Sequence, residues 1–200
     1  MRSVDPTLLT ERRRQILEAA LICFREKGFH GASMSSICKK AKMSPGHLYH
    51  YFESKNALIS AIVQSDVSFH EEKLASLVEN GNTLETMLSR INEIWQLDKD
   101  LDAALYSEIM AEASRNPEAA AVIRQHEIRL RERFAKVIAY GQEQGHIDPK
   151  INALGFASVI IACVSGLRIA DLANTHLDRK TATESLATMI SRTLLPQNKV

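Results

Sequence analysis

Residues 44–55, Ser-Pro-Gly-His-Leu-Tyr-His-Tyr-Phe-Glu-Ser-Lys, constrain the fold of this chain more than any other stretch. Ser44 and Pro45 are a strong helix start, because serine caps free N–H groups and proline at the first helical position gives up no hydrogen bond. Ser54-Lys55 begins the next helix only ten residues later. A helix of about two turns is not stable alone. The stretch therefore predicts a short helix held on a helical support, with a polar aromatic face directed outward.

Helical signals run along nearly the whole sequence, and alternating strand patterns are scarce. The first helix is predicted to start near Pro6 or Thr10 and to end at Gly28, where Phe29 folds back onto Phe24. Further helices are predicted over residues 34–41, 45–52, 55–79, 83–97, 103–114, 117–144, 151–174 and 180–195. The predicted fold class is all-α with about nine helices, arranged as a three-helix head and an antiparallel helical bundle.

The two parts differ in charge. Residues 1–55 carry ten Lys/Arg and five Asp/Glu, whereas residues 56–200 carry fifteen and nineteen. A basic head on an acidic body is typical of a nucleic-acid-binding unit joined to a second domain, although charges clustered on solvated helices give the same count. We therefore predict two domains, residues 1–55 and residues 56–200.

Several protein classes are disfavoured. Cys23, Cys38 and Cys163 form no CxxC pair, so neither a zinc site nor a disulfide framework is expected, and small buried residues are the better interpretation. No apolar run reaches the roughly 18 residues of a membrane span, and no signal-peptide hydrophobic region is present. We therefore expect a cytoplasmic protein that makes no membrane contact.

An all-helical enzyme is one alternative. The His-Glu pairs at 70–71 and 126–127 lack the second histidine of a zinc-protease motif, because leucine stands at both required positions. A metal site on His47 and His50 is disfavoured, since no third ligand of suitable type lies nearby. We predict no cofactor, no metal and no enzymatic activity. A helical interaction module that does not bind DNA is the other alternative.

Two short helices joined by a turn and braced by a longer one are the pattern of a helix-turn-helix, whose second helix enters the DNA major groove. Leu48 and Phe52 are four residues apart and are expected to face inward onto Ile37 and Phe24. The candidates for facing DNA are therefore Pro45, Gly46, His47, Tyr49, His50 and Tyr51.

These residue types suit DNA. Tyrosine hydroxyls donate to phosphates, their rings contact thymine methyls, and histidine donates to phosphate or to guanine N7. Gly46 has no side chain, so the helix backbone can come close to the duplex. Ser33 and Ser44 place hydroxyls at helix N-termini, which favour phosphate. Plain capping by the serines, and core packing by Tyr49, are the alternative interpretations.

Residues 11–58 resemble the DNA-binding head of the TetR family of bacterial transcriptional regulators. The matching stretches are residues 16–20, Phe24 with residues 27–29, residues 32–37 and residues 43–58. The resemblance implies operator contacts by Ser33, Ser44, Gly46, His47, Tyr49, Tyr51 and Lys55; we add Ser35, Lys42, Pro45 and His50.

Two positions depart from the family pattern. Lys42 stands where the turn usually has glycine, and Cys38 stands where alanine is common. If the turn needs a left-handed residue, Lys42 bears strain of about 1 kcal/mol. Its ammonium can also contact phosphate.

The resemblance implies that the body dimerises. Helix 151–174 is apolar on several faces and rich in small residues, so it is expected to be buried on more than one side, by the monomer core or by a second copy. A two-fold dimer places its reading helices about 34–36 Å apart and requires a pseudo-palindromic operator. The predicted interface residues are Phe156, Ile160, Val164, Leu186, Met189 and Ile190.

The resemblance also implies a small-molecule effector. The candidates, each also explained by core packing, are Trp95, Tyr106, Glu108, Met110, His126, Phe134, Ile160 and Arg168. Arg168 on a buried helix needs a carboxylate such as Glu108 or an anionic ligand. Residues 106–121 and 35–39 further resemble the glucuronide-operon repressor branch of the family, which implies a sugar-acid conjugate. The predicted function is a ligand-responsive repressor that binds operator DNA as a homodimer.

Overall fold

The computed structural model describes residues 6–78, 81–90, 103–172, 176 and 178–196, and these residues form helices and turns without a strand. The helices are α1 (Pro6–Gly31), α2 (Met34–Ala41), α3 (Pro45–Tyr51), α4 (Lys55–Ala75), α5 (Thr83–Ser89), α6 (Ala103–Ala113), α7 (Pro117–Glu143), α8 (Ala153–Leu172) and α9 (Arg179–Leu194). The predicted all-α class is confirmed. The fifth helix ends at Ser89 instead of continuing to residue 97, and residues 91–102 lie outside the described part of the chain.

Side-chain caps begin the helices where the sequence indicated. Ser33 Oγ accepts from the Ser36 N–H, and Ser36 Oγ accepts from the Ser33 N–H, so both free donors are satisfied. Asn116 Oδ1 accepts from the N–H groups of Glu118 and Ala119 at the start of α7. These caps explain why serine and asparagine mark the boundaries.

Gly28 interrupts α1 as predicted. Its φ of 66° and ψ of 169° lie outside the helical region. The ring of Phe29 packs on that of Phe24 with the centroids 5.5 Å apart. Residues 28–32 therefore form a bend that leads from the long part of α1 into α2.

The chain divides into two compact units, Met1–Asp66 with Asp100–Arg124 and Val67–Lys99 with Gln125–Val200. The division falls within α4, after Asp66, and within α7, after Arg124. The two units are defined by which residues pack together. The predicted boundary at residue 55, between a DNA-binding and an effector-binding domain, stays a prediction.

Each unit has its own apolar core. The first core is built by α1 to α4, α6 and the start of α7, and it includes Ile16, Phe24, Ile37, Leu48, Leu58 and Ile109. The second core is built by α5, α7, α8 and α9, and it includes Leu84, Phe134, Ile138, Ile160, Leu186 and Ile190. Among the helices that the structure describes, none is long and apolar enough to span a bilayer.

Candidate nucleic-acid interface

The turn between α2 and α3 is tight and hydrogen-bonded. Lys42 is left-handed, with φ 54° and ψ 44°, the conformation for which strain was expected at a position where the turn usually has glycine. The Met43 N–H donates to the Cys38 carbonyl oxygen at 3.0 Å. Ser44 Oγ then accepts from the His47 N–H at 3.3 Å, and Pro45 occupies the first helical position. The turn and the cap together fix the direction in which α3 leaves.

The inner face of α3 is anchored in the first core. Leu48 is 0% exposed, and Phe52 is buried beside it, in the same core as Ile37 and Phe24. The predicted inward orientation is confirmed. Because these anchors are four residues apart, most other side chains of α3 point away from the core, whereas Tyr51 packs partly against it.

The outer face of α3 is polar and aromatic. Gly46, His47, Tyr49 and His50 are exposed, and Tyr49 is 50% exposed, which excludes the core interpretation of this residue. The half-buried Tyr51 ring makes edge contacts with His47 at 5.3 Å and with His50 at 5.4 Å between centroids. These contacts hold the Tyr51 ring while its neighbours remain accessible.

The predicted phosphate-binding residues differ in their surroundings. Ser33, Ser35, Lys42 and Ser44 are exposed, and the Ser33 and Ser44 hydroxyls also cap their helices. Lys55 is partly buried instead. Its Nζ donates to the carbonyl oxygens of Phe29 at 2.7 Å and Ala32 at 2.8 Å. Burial lowers the pKa of Lys55, and the charge of Glu112 partly opposes that shift.

Two further contacts brace the helix-turn-helix and were not predicted. Gln15 Nε2 donates to the Ala41 carbonyl oxygen at 2.9 Å, at the end of α2. The Arg13 guanidinium lies 4.5 Å from the centre of the Phe52 ring. Gln15 and Ala41 are far apart in sequence, and no motif spacing indicates such a pair.

A cleft of about 530 Å³ lies beside α3 in the first unit. Its walls include Arg13, Tyr49, His50, Asn56 and Glu118. The described residues contain no group of three or more His, Cys, Asp and Glu side chains placed to hold a metal ion.

The predicted effector residues are distributed over both units. Tyr106 and Met110 pack against the first core, and Glu108 Oε2 accepts from the Phe29 N–H at 3.0 Å. Phe134 and Ile160 are buried in the second core, and His126 is half-buried on α7. Trp95 and the side chain of Arg168 lie outside the described part of the chain. The hydrogen bond of Glu108 accounts for its carboxylate without an effector.

The predicted dimer residues differ in their burial within one protomer, and the interface itself stays a prediction. Ile160, Leu186 and Ile190 are buried in the second core. Phe156 and Val164 pack partly against the same core. Met189 remains about half exposed, as do Leu154, Val159 and Ile169 on α8. Because α8 is apolar on several faces, its sequence did not indicate which face is outermost.

Two family models match the chain. Residues 16–62 match bacterial regulatory proteins of the tetR family. Residues 91–195 match the C-terminal part of the BetI-type transcriptional repressors. Together the matches cover the helix-turn-helix and most of the remaining chain.

Individual relatives agree with these models. The HTH-type transcriptional regulator UidR of Escherichia coli strain K12 is 36% identical over 170 residues, which are 84% of this chain and 85% of UidR. The structure of Salmonella enterica GusR has a TM-score of 0.76 at 29% identity, over 97% of this chain and 99% of GusR. A putative transcriptional regulator from Saccharomonospora viridis, solved in complex with choline, shares the fold. Its TM-score is 0.72 at 20% identity, over 94% of this chain and 100% of that chain.

Proposed function

The chain belongs to the TetR family of bacterial regulatory proteins and is a transcriptional regulator, and from this premise we propose that it is a repressor that binds a pseudo-palindromic operator as a homodimer and is released by a small organic effector. It acts in the cytoplasm, where its DNA is. The observation that carries the DNA-binding part is the contrast within α3 between the buried Leu48 and the exposed residues around it.

DNA reading falls to the outer face of α3. His47, Tyr49, His50 and Tyr51 present hydrogen-bonding groups and rings to base edges in the major groove. Gly46 has no side chain, so the helix start can come close to the duplex, and apart from the adjacent residues and the local helix backbone no atom lies within 4 Å of where a Cβ would be. The rings of His47 and His50 hold Tyr51 in place, so little side-chain freedom is lost on binding.

Phosphate binding falls to the residues around α3. The hydroxyls of Ser33, Ser35 and Ser44 and the Lys42 ammonium are exposed near helix starts, where backbone N–H groups also favour anions. Lys55 contributes mainly by fixing the bend before α2, since two of its three N–H donors are used by backbone carbonyls.

Selection from a random duplex library of about 30 base pairs tests the DNA-binding proposal, because such a length spans two half-sites one helical turn apart. We expect enrichment of a pseudo-palindrome and an affinity that falls steeply as salt rises. A chain that enriches no sequence, or whose binding does not respond to salt, does not read DNA as proposed.

We place the dimer interface on the outer faces of α8 and α9. Leu154, Val159, Ile169 and Met189 are exposed there within one protomer. Isolated exposed apolar residues are common, but four on two helices of one unit favour a covered surface. Small residues between them, Gly155, Ser158, Ala162 and Gly166, allow another helix to approach closely.

Effector binding is assigned to the second unit, with His126, Phe134 and Ile160 as the first candidates. Residues 106–121, which lie in the first unit, resemble glucuronide-operon repressors, and this resemblance concerns the branch of the family and not the position of the pocket. A sugar-acid conjugate is therefore the first ligand to test. Calorimetry with a phenyl glucuronide, with choline as comparison ligand, distinguishes an anionic effector from a cationic one. Binding of the glucuronide that leaves operator affinity unchanged would reject its role as effector.

The proposed release is a population shift. α4 is continuous from the first unit into the second, so a change in the second unit can be transmitted along it. An effector that prefers a conformation with tilted α4 separates the two reading helices beyond the groove spacing. A differential binding energy of about 1–3 kcal/mol changes operator affinity about 5- to 150-fold.

A further inference from the structure

Two carboxylates of α6 face the bend that leads into α2. Glu108 and Glu112 are one helical turn apart and therefore lie on the same side of the helix. Glu108 Oε2 accepts from the Phe29 N–H at 3.0 Å. Glu112 Oε2 lies 3.1 Å from His30 Nε2, with an alignment outside that of a hydrogen bond. Both contacts therefore reach residues just before the cap of α2.

The bend depends on these side chains because its backbone has left the helical pattern. Gly28 is left-handed, so the Phe29 N–H needs an acceptor outside α1, and Glu108 provides it. The carbonyl oxygens of Phe29 and Ala32 are bound by Lys55 at the start of α4. Ser33 caps α2 immediately afterwards. The position of α2, and of α3 behind its tight turn, thus depends on contacts from α4 and α6.

Glu112 is the buried carboxylate of this cluster. The residue is only 5% exposed, and its Oε1 accepts from Asn116 Nδ2 at 2.9 Å. A buried carboxylate must be compensated by nearby positive charge or by hydrogen bonds. The groups that can compensate it are the His30 imidazole, whose Nε2 lies 3.1 Å from Glu112 Oε2, and the Lys55 ammonium, which is stabilised by the Glu112 charge.

The same cluster reaches the start of α4 a second time. Asn116 Nδ2 donates to Asn56 Oδ1 at 3.2 Å, and Asn56 Nδ2 donates to Glu118 Oε2 at 3.1 Å. Residues 108–118 therefore contact both the bend after α1 and the first turn of α4. A displacement of α6 changes the Glu108 and Glu112 contacts together.

We propose that Glu112 is a positioning residue for DNA binding, which holds the bend of residues 28–32 and the start of α4 in the arrangement that α3 needs to reach the groove. The inference rests on the proposed role of α3 as the reading helix. Glu112 itself does not contact DNA in this account. It acts through His30, Lys55 and Asn116.

The test compares Glu112→Gln with Glu132→Gln in the full chain, against the duplex that the wild-type protein selects. Glu132 is exposed on α7 and reports the general effect of losing one negative charge. By simple electrostatics both changes favour DNA, because each removes repulsion of phosphate. We expect Glu112→Gln instead to weaken binding about 3- to 30-fold, with an unchanged slope of log affinity against log salt, because no phosphate contact is lost.

Affinity is measured well below the melting temperature, where a residue that serves stability alone leaves the affinity of the folded fraction unchanged. The proposal is overturned if the Glu112→Gln variant binds the duplex as tightly as the Glu132→Gln variant does. It is also overturned if the slope of log affinity against log salt is reduced in the Glu112→Gln variant. If Glu112→Gln does not fold, His30→Gln carries the test, since that exposed side chain can be changed without disturbing the core. Equal affinity of His30→Gln and wild type then overturns the proposal. If the wild-type protein selects no duplex, the proposal that α3 reads DNA is itself rejected. That outcome is distinct from a failure of the Glu112 proposal, in which the wild-type protein still selects a duplex.

Discussion

The Lys55 ammonium donates a hydrogen bond of 2.7 Å to the carbonyl oxygen of Phe29 and lies 4.4 Å from the centre of the Phe29 ring. Lys55→Met keeps most of the aliphatic stem but leaves that carbonyl and the Ala32 carbonyl without this donor. We expect the free energy of unfolding to fall by about 1–3 kcal/mol, measured by urea denaturation. The affinity should fall by the same factor for duplexes of every sequence, because the substitution affects the bend and removes no base contact.

Lys39→Met is the matched control for Lys55, because Lys39 is exposed on α2. It should leave the free energy of unfolding within about 0.5 kcal/mol of wild type. Equal stability of both variants would show that the Lys55 contacts contribute nothing measurable.

Tyr51 should affect sequence preference through its ring. Tyr51→Phe keeps the edge contacts with His47 and His50, whereas Tyr51→Ala removes them. We expect the alanine variant to lose about 1–3 kcal/mol of discrimination between the selected duplex and its single-base variants. The phenylalanine variant should retain most of that discrimination. Competition binding measures both, and an alanine variant with full discrimination would contradict base reading by Tyr51.

Lys42 combines a strained backbone with an exposed charge. Lys42→Gly should raise the free energy of unfolding by up to about 1 kcal/mol, because glycine adopts the left-handed conformation without steric cost. Lys42→Asn also tolerates that conformation and likewise removes the charge. If Lys42 contacts phosphate, both variants lower the salt slope by about 0.9 per protomer. If the salt slopes of both variants equal that of the wild-type protein, Lys42 contributes to the turn and does not contact phosphate.

The exposed apolar residues of α8 and α9 predict the effect of a new charge on assembly. Val159→Glu or Met189→Glu should convert the dimer into monomers, because a carboxylate buried at the interface lacks a partner. Sedimentation equilibrium measures the change. Ile128→Glu is the control, since Ile128 is similarly exposed but lies on α7. Dimers that survive both changes would exclude the proposed interface.

Local signals in the sequence predicted the helix-turn-helix well. Ser33, Ser44 and Pro45 begin helices for reasons that involve only a few neighbouring residues, and Gly28 ends one for the same kind of reason. The inward side of α3 followed from the four-residue spacing of its apolar positions. Such features depend on backbone hydrogen bonding within a turn or two, which a sequence displays directly.

Contacts between distant residues were not predictable in the same way. The sequence offers Glu108 as a candidate effector residue, but it does not indicate that this carboxylate accepts from the Phe29 N–H, 79 positions away. The burial of Ile160 and Leu186 within one protomer could not be read from α8 and α9, because apolar residues occur on several faces of α8. Choosing the inner face requires knowledge of which helices are neighbours.

Gly46→Ala tests the central claim, that the first turn of α3 approaches DNA closely. Apart from the adjacent residues and the local helix backbone, no atom lies within 4 Å of a Cβ at this position. Since alanine also favours a helix, the free energy of unfolding should be unchanged or higher. In a complex the added methyl group meets the duplex, so the affinity for the selected operator, measured by fluorescence anisotropy, should fall about tenfold or more. An equally stable variant that binds the operator as tightly as wild type would contradict the docking of α3 in the groove.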